Sequence, residues 1–260
     1  MGQNDKGSPT VIASLMMYAR PELAGAHNQY WINIRKGLKA CGIDAPKTLA
    51  NAAPEFDVWE APDLVFSQTC GMPYRTRLVD QVTLVGTPDF GVDGCAPGYY
   101  RSALVVRADD PRTSLLSFRE ARFVYNMNNS QSGFAAPYAL AQSQGFWFKD
   151  RIQSGAHILS ARAVAQGQAD IAALDAVTWR LMQKYDPAAR DLKVLTWTEP
   201  TPGLPYITGK NVDGLAVFDA VADAISTLSH QDRQTLGLRG LVKVPKALYL
   251  AIANPPAEAS

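Results

Sequence analysis

Little in this sequence suits a polyanion, a bilayer or an oxidised scaffold. Its 25 basic and 24 acidic residues leave a net charge of +1. No basic cluster stands out, so nucleic acid finds no electrostatic footprint. No apolar run approaches the roughly 18 residues that span a membrane. The three cysteines, Cys41, Cys70 and Cys95, make no disulfide framework. Cys41 falls at a helix end and reads as a small buried hydrophobe. Cys70 and Cys95 lie in Gly/Pro-rich loops, where a bridge between them stays open. Residues 1–10 lack the apolar core and cleavage site of a secretory signal. A periplasmic location therefore requires that a signal was removed ahead of this start; otherwise the chain stays in the cytoplasm. No Gly-x-Ser-x-Gly elbow, His-Glu-x-x-His, Walker loop or dinucleotide glycine motif is present. No catalytic residue, metal ligand or cofactor is assigned on that basis.

What the chain does have is apolar mass and alternation. At 260 residues and 47% hydrophobic it can bury a sizeable core, as one large domain or two small ones. Strands are expected near residues 11–18, 63–66, 81–86, 99–107, 123–125, 170–174 and 192–198. Helices are expected at 21–41, 74–78, 115–120, 135–141, 155–166, 175–185 and 213–228. The last of these places Leu215, Phe218, Val221, Ala222, Ile225 and Leu228 on one face. The Pro-rich tail reads as frayed. Strands alternating with helices argue an α/β fold with mostly parallel sheets. Ligands in such sheets sit at the carboxyl ends of strands. Polar turns follow residues 17, 66, 126 and 174, and Gln68 lies in one of them.

The most informative stretch is Arg122 to Phe134. Phe123, Val124 and Tyr125 are strand formers, Asn126 to Ser130 turn formers, and Ser130 or Ser132 a helix cap. One reading is an ordinary capped helix. The other is an anion seat, with Gly133 letting backbone N–H groups approach a ligand at the helix start. Asp175 has the same two faces: a cap for the helix at 176, or a partner for an amine or hydroxyl. Tyr18, Tyr74, Tyr99, Tyr100 and Trp179 offer aromatic area for a core or for a ligand wall. Arg20 and Arg101 can each give a forked contact to an oxyanion.

Several of these motifs, in this order, resemble one family. Gly98-Tyr-Tyr-Arg-Ser102, Asn129-Ser-Gln-Ser-Gly133, Gly155-Ala-His157 and Ala165-Gln-Gly-Gln-Ala-Asp-Ile-Ala-Ala-Leu-Asp175 resemble the phosphonate, phosphite and phosphate-binding proteins of ABC importers. These are type II periplasmic binding proteins. The likeness is strongest over residues 98–180. It implies two α/β lobes, residues 1–103 with 200–260 and residues 104–199, with ligand held between them and hinge closure over it. It implies a small anionic or zwitterionic ligand and an ABC permease as partners. It also implies ligand contacts from Tyr18, Gln68, Tyr99 or Tyr100, Ser130, Gln131, Ser132, Gly133, His157 and Asp175. Gln131 stands where the family has a threonine, which exchanges a hydroxyl for a longer neutral amide. An anion facing His157 would raise its pKa. The alternative is a cytoplasmic enzyme or ligand sensor on the same scaffold.

Overall fold

The computed structural model describes residues 11–259. The chain divides into two compact units, each with its own five-stranded sheet. The first comprises residues up to Thr69, Thr76–Pro88 and Leu204–Val244; the second comprises Cys70–Arg75, Asp89–Gly203 and Pro245 onward.

In the first unit the strand order is Ile12–Ala13, Leu64–Gln68, Tyr206–Gly209, Val82–Asp89, Gly240–Val242. Ile12–Ala13 runs parallel to Leu64–Gln68, while Tyr206–Gly209 runs against both Leu64–Gln68 and Val82–Asp89. Helix Ala24–Ala40 buries Tyr30, Trp31, Ile34 and Leu38. Cys41, expected to be buried, is exposed. It is the capping residue just past the last turn, where the apolar stripe has run out. Helix Gly214–Thr227 buries Val217, Ala220, Val221, Ala224 and Ile225, whereas Leu215 is 68% exposed. The contact face is therefore rotated from the expected one, because small residues at Gly37 and Ala220 let two backbones meet. A Cβ on Gly37 would lie 2.8 Å from Ala220 Cβ and 3.0 Å from Ala220 Cα. Gly37→Ala is expected to cost about 2 kcal/mol by overpacking, read as a lower urea midpoint. An unchanged midpoint contradicts close helix packing here.

In the second unit the order is Arg151–Gln153, Phe123–Tyr125, Ile171–Asp175, Ser102–Arg107, Leu192–Trp197. Only Ser102–Arg107 runs against its neighbours, so four of the five strands point one way. Successive side chains of a strand face opposite sides. Leu104, Val106, Phe123, Tyr125, Ile171 and Ala173 fill one face. Ala103, Val105, Val124, Ala172 and Leu174 fill the other. Trp179 belongs to this second core, not to an open wall. Residues 70–75, 89–103, 200–203 and 245–259, assigned from the sequence to the first lobe, group with this unit. Ser102–Arg107 and Leu192–Trp197 pair with each other inside its sheet.

The tail is ordered by packing, contrary to the expectation of fraying. Tyr249 is fully buried, stacks edge-on against Tyr74, and donates its hydroxyl to Gly203 O at 2.9 Å. Trp147 Nε1 donates to Ala259 O at 3.0 Å. Proline content set the local expectation, and these tertiary contacts override it.

Candidate functional site

The parallel strands of the second unit deliver chemistry at their carboxyl ends. Phe123–Tyr125 leads into the turn that carries residues 126–133. Arg151–Gln153 leads to His157, the first residue of helix His157–Ala165. Gly155, at φ 91°, makes the sharp turn between them in a conformation other side chains resist. Ile171–Asp175 ends on Asp175. Ser102–Arg107 runs the other way, and Ser102 pairs with Asp175. Its start therefore lies where the parallel strands end, which brings Tyr100 to the same place.

Ser130 is the helix cap: its Oγ accepts from Gly133 N at 3.0 Å, and its carbonyl accepts from Phe134 and Ala135. Residues Gln131–Ala135 then form one wide π-type turn before helix Ala136–Ser143. Such turns recur at functional sites. The Gln131 N–H donates to Cys70 Sγ at 3.3 Å. The Gln131 side-chain carbonyl is engaged: its Oε1 accepts from Arg75 Nη1 at 2.7 Å. Ser132 Oγ and His157 Nε2 share a hydrogen bond of 2.9 Å. Gly133 is needed for room: a Cβ would sit 1.9 Å from Asn126 Oδ1 and 3.1 Å from His157 Cε1.

Asp175 is a cap, accepting from Val177 N at 2.7 Å and Thr178 N at 3.0 Å. Its charge still reaches Cys70 and Tyr100, raising both. Tyr100, rather than Tyr99, lies beside Ser132. Tyr99 pairs with Pro202 in a two-stranded ladder and, as the alternate residue, faces away. The Tyr100 hydroxyl is buried and reaches no partner at good hydrogen-bond geometry. Burial pushes its pKa well above the ordinary value, Cys70 and Asp175 add to the effect, and the Ser132 hydroxyl and Arg75 oppose it. Burial likewise raises the Cys70 thiol, opposed by N–H groups of Gln131 and Met72. None of the three cysteines is in a disulfide.

Arg75 is the residue that local sequence reasoning missed. It is 7% exposed and donates from Nε to Asn254 Oδ1 at 2.7 Å as well as to Gln131. Its Nη2 is buried with no partner. No carboxylate among the described residues pairs with it. Burial lowers its pKa, and only Cys70 and Tyr100 act to raise it.

The remaining expected residues lie within their own units. Tyr18 is buried in the first unit. Gln68 is tied into that unit's backbone, donating to Leu204 O at 3.1 Å while its own carbonyl accepts from Trp59 Nε1. Arg20 pairs with Glu22 at 3.2 Å, and Arg101 stacks over Trp197 at 4.4 Å. A cavity of about 690 Å³ in the first unit, lined in part by Arg20, His27, Trp31 and Lys47, holds none of the residues gathered around Ser132.

His157 is part-buried. Burial lowers its pKa to about 4, against a smaller opposing effect of the Ala173 carbonyl. The protein's own groups thus hold the ring neutral. The folded pKa lies below the unfolded value near 6.5. As pH falls from about 6.5 toward about 4, the unfolded chain takes up a proton that the folded ring refuses, so stability falls. His157→Gln is expected to flatten urea midpoint against pH across that window. His27 in the first unit, also lowered to about 4 by burial, supplies a separate share that remains. Identical slopes with and without His157 contradict this.

A model of the family described as the periplasmic phosphonate substrate-binding protein of ABC transporters matches residues 75–247. No curated protein matches the sequence. Among solved structures, PhnD1 of Prochlorococcus marinus in complex with methylphosphonate is similar, at 16% identity and TM-score 0.72, covering 93% of this chain and 95% of that one. A binding-protein component of an ABC phosphonate transporter from Pseudomonas aeruginosa is similar at 18% identity and TM-score 0.68, with 92% and 82% covered. A Rhodopseudomonas palustris protein, MatC with bound malate, is similar at 13% identity and TM-score 0.59, with 92% of each covered. At such identities the structural likeness speaks for the fold. Among the described residues, no helix is long and apolar enough to cross a membrane.

Proposed function

We propose that this chain, which belongs to the family of periplasmic phosphonate substrate-binding proteins of ABC transporters, holds a small oxyanion on its second unit and presents it to a permease in the periplasm. One observation carries the reading: the buried Tyr100 hydroxyl, with no well-aligned partner, lies beside Ser132, whose own hydroxyl is bonded to His157. A buried polar group without a partner is costly. Tyrosine and serine hydroxyls and a protonated imidazole are all donors, so an acceptor-rich anion satisfies them together. The methylphosphonate of the Prochlorococcus relative is such an anion.

Capture without chemistry fits the electrostatics. Ser132 with His157 has the outline of a nucleophile and base. Yet a ring with a pKa near 4 is a weak base at neutral pH, and no carboxylate orients its Nδ1. Cys70 is held as a neutral thiol and bonds Gln131, not His157.

Calorimetry with methylphosphonate at pH 5.5, in two buffers of different ionisation enthalpy, tests the reading. An anion beside His157 raises its pKa, so the wild type is expected to take up more protons on binding than His157→Gln, the ligand's own ionisation being common to both. Equal proton exchange and equal affinity in the wild type and His157→Gln contradict the placement of the anion.

A further inference from the structure

Arg75 poses a problem that the fold alone does not solve. A guanidinium stays charged at any ordinary pH. Burying one without a countercharge is expensive. Its neighbours do not offset that cost: Cys70 and Tyr100 are both raised and hence neutral, while Gln131 and Asn254 offer only amide oxygens. Those two amides hold the fork at Nε and Nη1 and leave Nη2 buried and unused. Gln131, in the middle of the helix-start motif, turns its carbonyl to the arginine and so fixes a positive charge there.

Several acceptors nearby are engaged: Asp175 Oδ1 takes two N–H groups, Ser130 Oγ takes one, and Gln131 Oε1 takes Arg75 itself. Asn126 Oδ1 is buried without a partner. A ligand bearing a second negative charge would find the arginine.

We infer that Arg75 selects ligands by charge, so that the seat takes a doubly ionised tetrahedral oxyanion, such as an alkyl phosphonate dianion, over a singly charged analogue of the same shape. This rests on the anion-binding reading above and names its substrate class. Gln131 and Asn254 are positioning residues that hold the guanidinium in place.

The test compares methylphosphonate with methanesulfonate, a singly charged tetrahedral counterpart, by calorimetry at pH 8.5. The wild type is expected to prefer methylphosphonate. Arg75→Gln is expected to weaken methylphosphonate binding about 10- to 100-fold, the loss of one charge-assisted hydrogen bond, and methanesulfonate binding far less. Asn254→Asp leaves the arginine intact and supplies the missing countercharge at Nε, where the present contact is 2.7 Å. It is expected to erode the preference in the same direction in a protein at least as stable as the wild type. Equal wild-type affinity for the two probes overturns the inference while leaving anion capture standing, as does a preference that survives both substitutions. Failure of the wild type to bind either probe overturns both.

Discussion

Gly133→Ala is expected to abolish oxyanion binding and to destabilise the protein by about 3 kcal/mol, at the upper end of overpacking costs. The added methyl would meet Asn126 Oδ1 at 1.9 Å and His157 Cε1 at 3.1 Å. Neither neighbour yields cheaply. The Asn126 backbone is fixed, because its main-chain carbonyl accepts from Gly155 N at 2.8 Å, and its side chain is buried. His157 is tied to Ser132. Relief requires the turn to open, which moves Ser132 away from Tyr100. Thermal unfolding and a methylphosphonate titration of the variant measure the two effects. A variant that keeps both wild-type stability and wild-type affinity shows that the turn is looser than described.

Ser130→Ala and Ser132→Ala are expected to part company. Ser130 caps the helix through Gly133 N. Its loss is expected to cost about 1–2 kcal/mol of stability, with a smaller effect on affinity. Ser132 caps nothing; its hydroxyl lies between His157 and Tyr100. Its loss is expected to weaken ligand binding about 10- to 100-fold and to leave stability within about 1 kcal/mol. Unfolding midpoints beside calorimetric affinities for both variants separate the roles. Equal losses of affinity would make the two serines equivalent ligand contacts.

The strand, turn and helix of residues 122–143 were legible because their signals are local. Strand formers, turn formers and a capping serine occur in the order the chain uses them. Asp175 was legible as a cap for the same reason. His157 was legible through the family likeness of Gly155-Ala-His157, not through any local pattern. Arg75 was not legible at all. Its meaning comes from Gln131, 56 residues on, and Asn254, 179 residues on. Locally it is one polar residue in a short helical turn. The choice between Tyr99 and Tyr100 turned on strand phase, which a two-residue ladder does not reveal in sequence. The ordered tail was hidden likewise, since Tyr249 and Asn254 act on distant partners. Helix Gly214–Thr227 shows a milder failure: the stripe of large residues pointed one way, and close contact at Gly37 and Ala220 decided another.

The most direct measurement is a thermal-shift series with methylphosphonate, inorganic phosphate, methanesulfonate, a small dicarboxylate and a small primary amine. A ligand at 100 times its dissociation constant adds about 2.7 kcal/mol to the folded state. The account predicts a saturable rise with an oxyanion, reduced in Ser132→Ala, and none with the amine. A rise with the amine alone, or an oxyanion shift untouched by Ser132→Ala, contradicts it.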